Sequence, residues 1–297
     1  MPIKRSEFRK ALIKRHQFIK KIRYFFDNLG LIEVSTPKLL KTFATDVFID
    51  SLATTVNKDI NKEKTLYLHT SPELEMKRLL AQGSGDIYQI CSVFRDNEQG
   101  RRNFNEFIML EYYRKDFDIF KLMDEITNLI KSLGFDTKVT KMSYSEVFFK
   151  YTNIDIINTS FKDLKKVASS YGLSTDFNWI ADLQILLFTA LCEPKLKKIP
   201  MCFIYNYPKA QSALAKVNDK VALRFELYIF GVEIANGYDE LQDAKAYKNC
   251  FEDDIKKRKT LSKKMPKIDE NFLLELEKPL PKCAGVAIGI DRLLCSF

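Results

Sequence analysis

The residues able to do chemistry in this chain fall in three stretches. In Val93–Arg114 a strand ends at Arg95, a polar loop follows, and a second strand returns with Glu106, Phe107, Glu111 and Tyr113. An arginine at a strand end can grip a phosphate through two parallel charge-assisted hydrogen bonds, and a nearby aromatic ring offers a face for a base. In Gly231–Leu241, the residues Glu233, Asn236, Asp239 and Glu240 set acidic and amide groups on a strand and the turn after it. Such groups suit a divalent cation and a substrate ammonium. In Gly285–Leu293 a strand of small residues runs into a helix whose first turn carries Asp291 and Arg292. Small side chains permit close backbone approach to a ligand, and Arg292 adds positive charge where a helix start already favours phosphate. Singly, the first stretch reads equally well as a hairpin with a charged tip, and the third as a packing device. Three in this order point to one phosphate-handling site.

Other chemistries have little material. Only His16, in a basic helix, and His69, in a strand, are available for a Ser/His or Cys/His pair. The six cysteines, Cys91, Cys192, Cys202, Cys250, Cys283 and Cys295, are scattered without a C-x-x-C pair and sit mostly among apolar neighbours. That argues against a disulfide framework and a zinc site. The longest apolar stretch, Trp179–Leu191, is broken by Asp182 and Gln184 and falls short of the ~20 residues a membrane-spanning helix needs. Met1–Arg5 leads into a charged helix without the apolar core of a secretion signal. No membrane partner and a cytoplasmic location are expected. The formal charge of +9 suits a polyanionic partner, but 36 lysines against twelve arginines reflect general composition more than a specific patch. The run Lys256–Lys259 with Lys263 and Lys264 reads as a solvated helix and loop.

The elements that must position these groups are those of an α+β protein, an antiparallel sheet flanked by helices. Phe8, Leu12, Ile19, Ile22, Phe26 and Leu29 recur at helical spacing, stop at Gly30, and lead into an alternating strand ended by Pro37. Further strands are expected at Val47–Val56, Thr65–Thr70, Ile87–Phe94, Phe107–Tyr113, Met201–Tyr205, Ala222–Val232 and Cys283–Ile288. Helices are expected at Pro72–Leu80, Asp118–Leu133, Tyr144–Tyr151, Phe161–Tyr171, Ile180–Cys192, Ala244–Lys259 and Asn271–Glu277. The piece from about 134 to 200 reads as a helical insertion between sheet strands.

These segments resemble the class II aminoacyl-tRNA synthetase catalytic domain. The first helix, its strand and Pro37 look like that family's first motif, Phe94-Arg95 through Glu111 like its second, and Gly285 through Leu293 like its third. Thr70–Leu80 and Glu233–Glu240 are typical of its lysine branch. Lysyl-tRNA synthetases carry an anticodon-binding domain ahead of this unit, yet here the first-motif helix begins within the first few residues. One catalytic domain over 1–297 and no anticodon-binding domain are therefore expected. The chain looks like the free-standing ligases of this branch, which activate (R)-β-lysine with ATP and join it to a lysine side chain of elongation factor P. Ala287 agrees, standing where the tRNA enzymes usually have glycine and the ligases alanine.

The resemblance implies an amide-forming ligase working through an aminoacyl-adenylate, with ATP and Mg²⁺. Arg95 and Arg292 would be catalytic, on the α- and γ-phosphates. ATP would also be met by Asp96, Asn97, Phe104, Phe107, Glu233, Ile234 and Gly289, with the adenine between Phe107 and Arg292. Ser71, Pro72, Glu73, Glu111, Tyr113, Asn236, Glu240 and Ala287 would hold the amino acid, and Glu233 and Glu240 the Mg²⁺. Elongation factor P would be the acceptor and tRNA not. A homodimer through the first-motif helix is expected. Two departures stand out: Asn97 replaces the family's glutamate with Glu98 following, and Asn103–Phe107 alters its His-Asn-Pro-Glu-Phe. The alternatives are a truncated lysyl-tRNA synthetase-like enzyme acting on tRNA or another carrier, and a weakly catalytic regulatory paralogue.

Overall fold

The helical spacing at the N-terminus gives α1 (Arg5–Asn28), which buries Phe18, Ile22 and Phe26 and leaves Phe8, Leu12, Ile13 and Tyr24 exposed. The computed structural model describes residues 5–59, 62–98, 100 and 103–297. After α1 come β1 (Ile32–Glu33), β2 (Leu39–Leu40), β3 (Ala53–Asp59), β4 (Lys62–Leu68), α2 (Glu73–Ala81), β5 (Ile87–Phe94) and β6 (Glu106–Lys115). The middle comprises α3 (Ile119–Ser132), β7 (Val139–Ser143), α4 (Tyr144–Thr152), α5 (Phe161–Ser170), α6 (Ile180–Leu187) and α7 (Glu193–Leu196). The remainder is β8 (Met201–Pro208), β9 (Val217–Asn218), β10 (Val221–Ile229), β11 (Val232–Asp239), α8 (Ala244–Thr260), α9 (Glu270–Glu275), β12 (Cys283–Gly289) and α10 (Ile290–Cys295).

The main sheet runs β1-β5-β6-β12-β11-β10-β8-β7, with β9 beside β10, and a smaller sheet runs β2-β4-β3. Every pairing is antiparallel except β1 with β5 and β7 with β8. Side chains alternate across a strand. On β6 and β12, therefore, Ile108, Leu110, Tyr112, Ala284, Val286 and Ile288 join Phe26 of α1 and Leu122, Ile126 and Leu129 of α3 in one apolar layer. Phe107, Met109, Glu111, Tyr113, Gly285, Ala287 and Gly289 look the other way, into a cavity. Asp118 caps α3 by accepting hydrogen bonds from the amides of Phe120 and Lys121.

Three expectations change. The run Ala222–Val232 is a hairpin, because Phe230 and Gly231 take positive φ of 47° and 73° and turn β10 into β11. The insertion is not purely helical: β7 extends the sheet edge beside β8, and α4 to α7 pack a second core around Tyr144, Phe148, Leu183 and Leu187. The basic run is solvated at Lys256, Lys259 and Lys264, as expected, but not at Arg258. Arg258 is 1% exposed, and it donates to the carbonyls of Lys264, Asp46 and Ile49 and to Asp50 Oδ1, bracing the loop before β3.

Candidate active site

A cavity of about 1770 Å³ opens over β6, β12 and β11, walled by α2, α9 and the loop at residues 39–51. One end is built to meet positive charge. Glu111, from the middle of β6, is 2% exposed; its carboxyl accepts hydrogen bonds from Ser71 Oγ and the Tyr113 hydroxyl, each at 2.6 Å. Ser71 Oγ also accepts from the Glu73 amide at 3.0 Å, tying this carboxyl to the start of α2. One turn on, the fully buried Lys77 sets its Nζ 2.6 Å from Glu73 Oε1 and 2.7 Å from Glu240 Oε2. Two carboxyls thus close on one ammonium, and the third, Glu111, is held by hydroxyls instead. Burial, with Glu73 nearby, lifts Glu111 to about 7. Burial likewise lifts Glu240 well above the usual carboxylate range, with Lys77 pulling the other way. The floor between them is glycine by necessity, since a Cβ on Gly285 would lie 2.6 Å from Glu240 Oε1 and closer still to the Tyr113 ring.

The other end is arginine-rich. Arg95, just past β5, donates from Nε to the Thr70 carbonyl at 3.3 Å and lays its guanidinium 5.2 Å from the centre of the Phe107 ring. Arg292, in α10, donates to the Glu233 carbonyl at 3.1 Å and to Asn103 Oδ1 at 3.0 Å, with Glu233 Oε2 at 3.7 Å. Its neighbour Asp291 is structural, accepting from the Ile108 amide and pairing with Arg15. Its place in the cavity wall and the nearby Glu226 push Glu233 upward, against Arg292.

A bulge in β11 joins the two ends. Tyr228 of β10 pairs with Glu233 and Leu227 with Ala235, so Ile234 is an extra residue on β11. Ile234 and Ala235 both enter the apolar layer, and Glu233 is left on the same face as Asn236, Tyr238 and Glu240. Without the bulge a separation of seven would put Glu233 and Glu240 on opposite faces.

The cavity wall includes Ser71, Glu73, Arg95, Phe104, Phe107, Glu111, Tyr113, Glu233, Ile234, Asn236, Glu240, Ala287, Gly289 and Arg292 among the residues expected from sequence. Ala287 sits on the floor, paired with Glu111 on one side and Asn236 on the other. Pro72 is buried and starts α2 without lining the wall. Asp96 and Asn97 are exposed and stand outside the wall, while Glu98 lines it; Asn97 takes φ 60° at this point. Gln99, Arg101 and Arg102 of the same loop lie outside the described residues. The guanidinium that faces the Phe107 ring is that of Arg95, not of Arg292.

The expectation of Mg²⁺ between Glu233 and Glu240 is corrected. They lie at opposite ends of β11, roughly 20 Å apart at ~3.3 Å per residue, and Glu240 is already closed onto Lys77. Among the described residues no group of three His, Cys, Asp or Glu could hold a metal ion. Glu233, whose side chain is 44% exposed beside Arg292, fits the one-carboxylate share a magnesium takes when phosphates supply other ligands. The sequence also left Lys77, Arg224 and Tyr238 without a role. Lys77 was legible as the i+4 partner of Glu73; nothing local marked it as buried.

The family model for tRNA synthetases class II (D, K and N) matches residues 1–297. The chain belongs to this family. A relative from Avibacterium paragallinarum named elongation factor P–(R)-β-lysine ligase is 40% identical over 289 residues, covering 96% of this chain and 90% of its own length. Proteins of the same name from Pectobacterium atrosepticum and Mannheimia succiniciproducens are 39% and 40% identical, covering 95% and 96% of this chain and 89% and 90% of their own. In this synthetase-family chain the three motif-like segments converge as one surface: the strand after α1 lies beside β5, β5 ends at Arg95, and β12 feeds α10 with Arg292. No described helix is long and apolar enough to cross a membrane.

Proposed function

We propose that this chain is an ATP-dependent, amide-forming ligase that activates (R)-β-lysine as an acyl-adenylate and transfers it to a lysine side chain of elongation factor P. The observation that carries the reading is the set of three carboxyls lining one end of the cavity, Glu73 and Glu240 sharing the single Lys77 and Glu111 held only by hydroxyls, at the opposite end from Arg95 and Arg292. Buried carboxyls that outnumber their cations call for a ligand that brings ammonium groups. The arginine end suits the phosphates of the same reaction. The names of the relatives supply the particular amino acid and acceptor.

In the first step a carboxylate oxygen of β-lysine attacks the α-phosphorus of ATP, the bond to the bridging oxygen breaks, and pyrophosphate leaves. Arg95 neutralises charge that builds at the α-phosphate, and Arg292 holds the far phosphates. Phe107, Phe104, Gly289 and the backbone of Ile234 surround the adenine, with Glu98 on the loop above; Asp96 and Asn97 stand outside the wall and shape that loop instead. Glu233 would hold Mg²⁺, which when bound neutralises phosphate charge. Glu111, Tyr113, Ser71, Glu73 and Glu240 hold the ammonium groups, and Asn236 and Ala287 form the floor, on a turn set by Pro72. In the second step the acceptor amine attacks the adenylate carbonyl, AMP leaves with the bonding pair of the C–O bond, and the amine gives up a proton.

We read 1–297 as one catalytic unit acting in the cytoplasm without tRNA. We further read it as a homodimer through the exposed apolar residues of α1, Phe8, Leu12, Ile13 and Tyr24; light scattering at micromolar concentration should return twice the chain mass. The functional test offers enzyme, Mg-ATP and labelled β-lysine or α-lysine to elongation factor P and lysine tRNA together. Label in the protein, favouring β-lysine, is expected; label in tRNA overturns the acceptor assignment, and none in either overturns the activity.

A further inference from the structure

We propose that Tyr238 is a substrate-binding residue that donates its hydroxyl proton to the carboxylate, and then to the acyl carbonyl oxygen, of the bound amino acid. Arg224 is the positioning residue that keeps that proton free. The inference rests on the amino-acid-activating function proposed above.

The argument is one of donors and acceptors. A guanidinium only donates. One terminal nitrogen of Arg224 lies 3.1 Å from the side-chain amide of Asn236, so the atom facing it is Oδ1. The amide is thereby turned with Nδ2 2.9 Å from the Tyr238 hydroxyl. An amide nitrogen donates, so the phenol oxygen accepts, and its own proton must find another acceptor. Among the described residues none is hydrogen-bonded to it, and Tyr238 lines the cavity. An ammonium has no lone pair to offer. The ligand atom that answers this proton is an oxygen.

The relay is rigid. Arg224 donates to the Gln211 carbonyl at 3.0 Å and to Glu226 Oε1 at 2.5 Å, and lies 4.4 Å from the Tyr207 ring centre and 5.6 Å from that of Tyr238. It cannot swing away without breaking these contacts, so the amide of Asn236 is held in one of its two orientations. Tyr238 is paired with Gly285 on β12, and Asn236, which holds the hydroxyl, with Ala287, so the floor beneath the two carries nothing larger than a methyl group. The hydroxyl is two residues along the strand from Glu240, and the same face thus offers a carboxyl to an ammonium and a phenol proton to an oxygen.

The test compares two ligands that differ only in the carboxyl group, (R)-β-lysine and 1,4-diaminopentane. Their affinities for the full chain are measured by calorimetry in wild type, Tyr238→Phe, Arg224→Met and the double variant. Tyr238→Phe should weaken β-lysine binding about tenfold, leave the diamine and ATP unchanged, and melt with wild type. Arg224→Met frees the amide to turn its oxygen toward Tyr238 and take the proton. It should weaken β-lysine in the tyrosine background and add little in the phenylalanine one. Equal loss for both ligands, or no loss for either, overturns the inference, and Tyr238→Phe decides it alone if Arg224→Met does not fold. Wild type that binds no β-lysine overturns the proposed function and this inference together; wild type that binds, with Tyr238→Phe unchanged, overturns only the inference.

Discussion

Replacing Lys77 with methionine should destabilise the protein by an amount that grows with pH. Lys77 is fully buried and its Nζ touches Glu73 and Glu240 at 2.6 and 2.7 Å. Methionine fills most of the space, so the cost is electrostatic. Glu73, with a side chain 27% exposed, can turn to water, whereas Glu240, at 1%, cannot. Removing one partner of a buried pair costs about 3–5 kcal/mol when the other stays charged. At low pH Glu240 escapes by protonation, and the loss should shrink to about 1 kcal/mol, the scale of a neutral hydrogen bond. The sign follows from linkage. Lys77 is held above its ordinary value, so its stabilisation is complete below the unfolded value of about 10.4 and lost only above it. Glu240 is raised to about 8, so the folded state holds a proton the unfolded chain has released, and stability falls as pH climbs from its unfolded value through its folded one. Taking Lys77 away raises Glu240 further, so above about pH 8 the variant still carries the proton that the wild type releases, and the gap grows by about 1.4 kcal/mol per pH unit. Equilibrium urea unfolding of wild type and Lys77→Met at about pH 6 and about pH 9.5 measures both gaps. The expected gap is about 1 kcal/mol at the lower pH and about 3 kcal/mol at the higher. Equal gaps at the two pH values would refute the reasoning, as would a gap under about 2 kcal/mol at the higher one.

Other outcomes can be checked alongside. Arg95→Ala should remain folded yet lower lysine-dependent ATP–pyrophosphate exchange by about 10²–10³, the loss of one donor to transition-state charge; exchange within a few-fold of wild type would remove Arg95 from the chemistry. Because Glu111 titrates near 7 in the empty cavity, an ammonium ligand should bind more tightly as pH rises from 6 to 8 and expel a proton below pH 7. Calorimetry in buffers of different ionisation heat reads that proton, and a pH-independent affinity contradicts it. Gly285→Ala should raise KM for the amino acid at least about tenfold by pushing Tyr113 and Glu240 apart, with KM for ATP unchanged; parallel rises in both would point to general distortion.

What the sequence shows and hides divides along physical lines. The long amphipathic helix and the strand Ile87–Phe94 were legible because their apolar spacing is the whole signal. Arg95, Glu111 and Ala287 were legible because the stretches that carry them resemble family motifs, and β5, β6 and β12 form where those motifs were read. The turn at Phe230-Gly231 was hidden, since a phenylalanine at φ 47° has no turn signature and the run around it is rich in strand-forming residues. The buried state of Lys77 and Arg258 was hidden too, because each lies on a charged helix and its partners come from segments far away in sequence. The spacing of Glu233 and Glu240 gave no hint of the bulge that puts them on one face. The shared magnesium was mistaken because sequence proximity on a strand is not spatial proximity when each residue advances ~3.3 Å.

The extra residue in β11 also constrains how this gene can vary. Deleting Ile234 would restore even pairing with β10 and leave Glu233 six residues from Glu240, still on the cavity face. Adding a residue between Asn236 and Glu240 would instead rotate Glu240 into the layer of Phe225, Leu227 and Ile288, a carboxylate among aliphatic and aromatic groups. Single-codon changes between Asn236 and Glu240 are therefore destructive to the site, whereas the bulge tolerates the loss of its one extra residue. Length differences among viable sequences should collect at Ile234, at the Phe230-Gly231 turn or beyond Leu241.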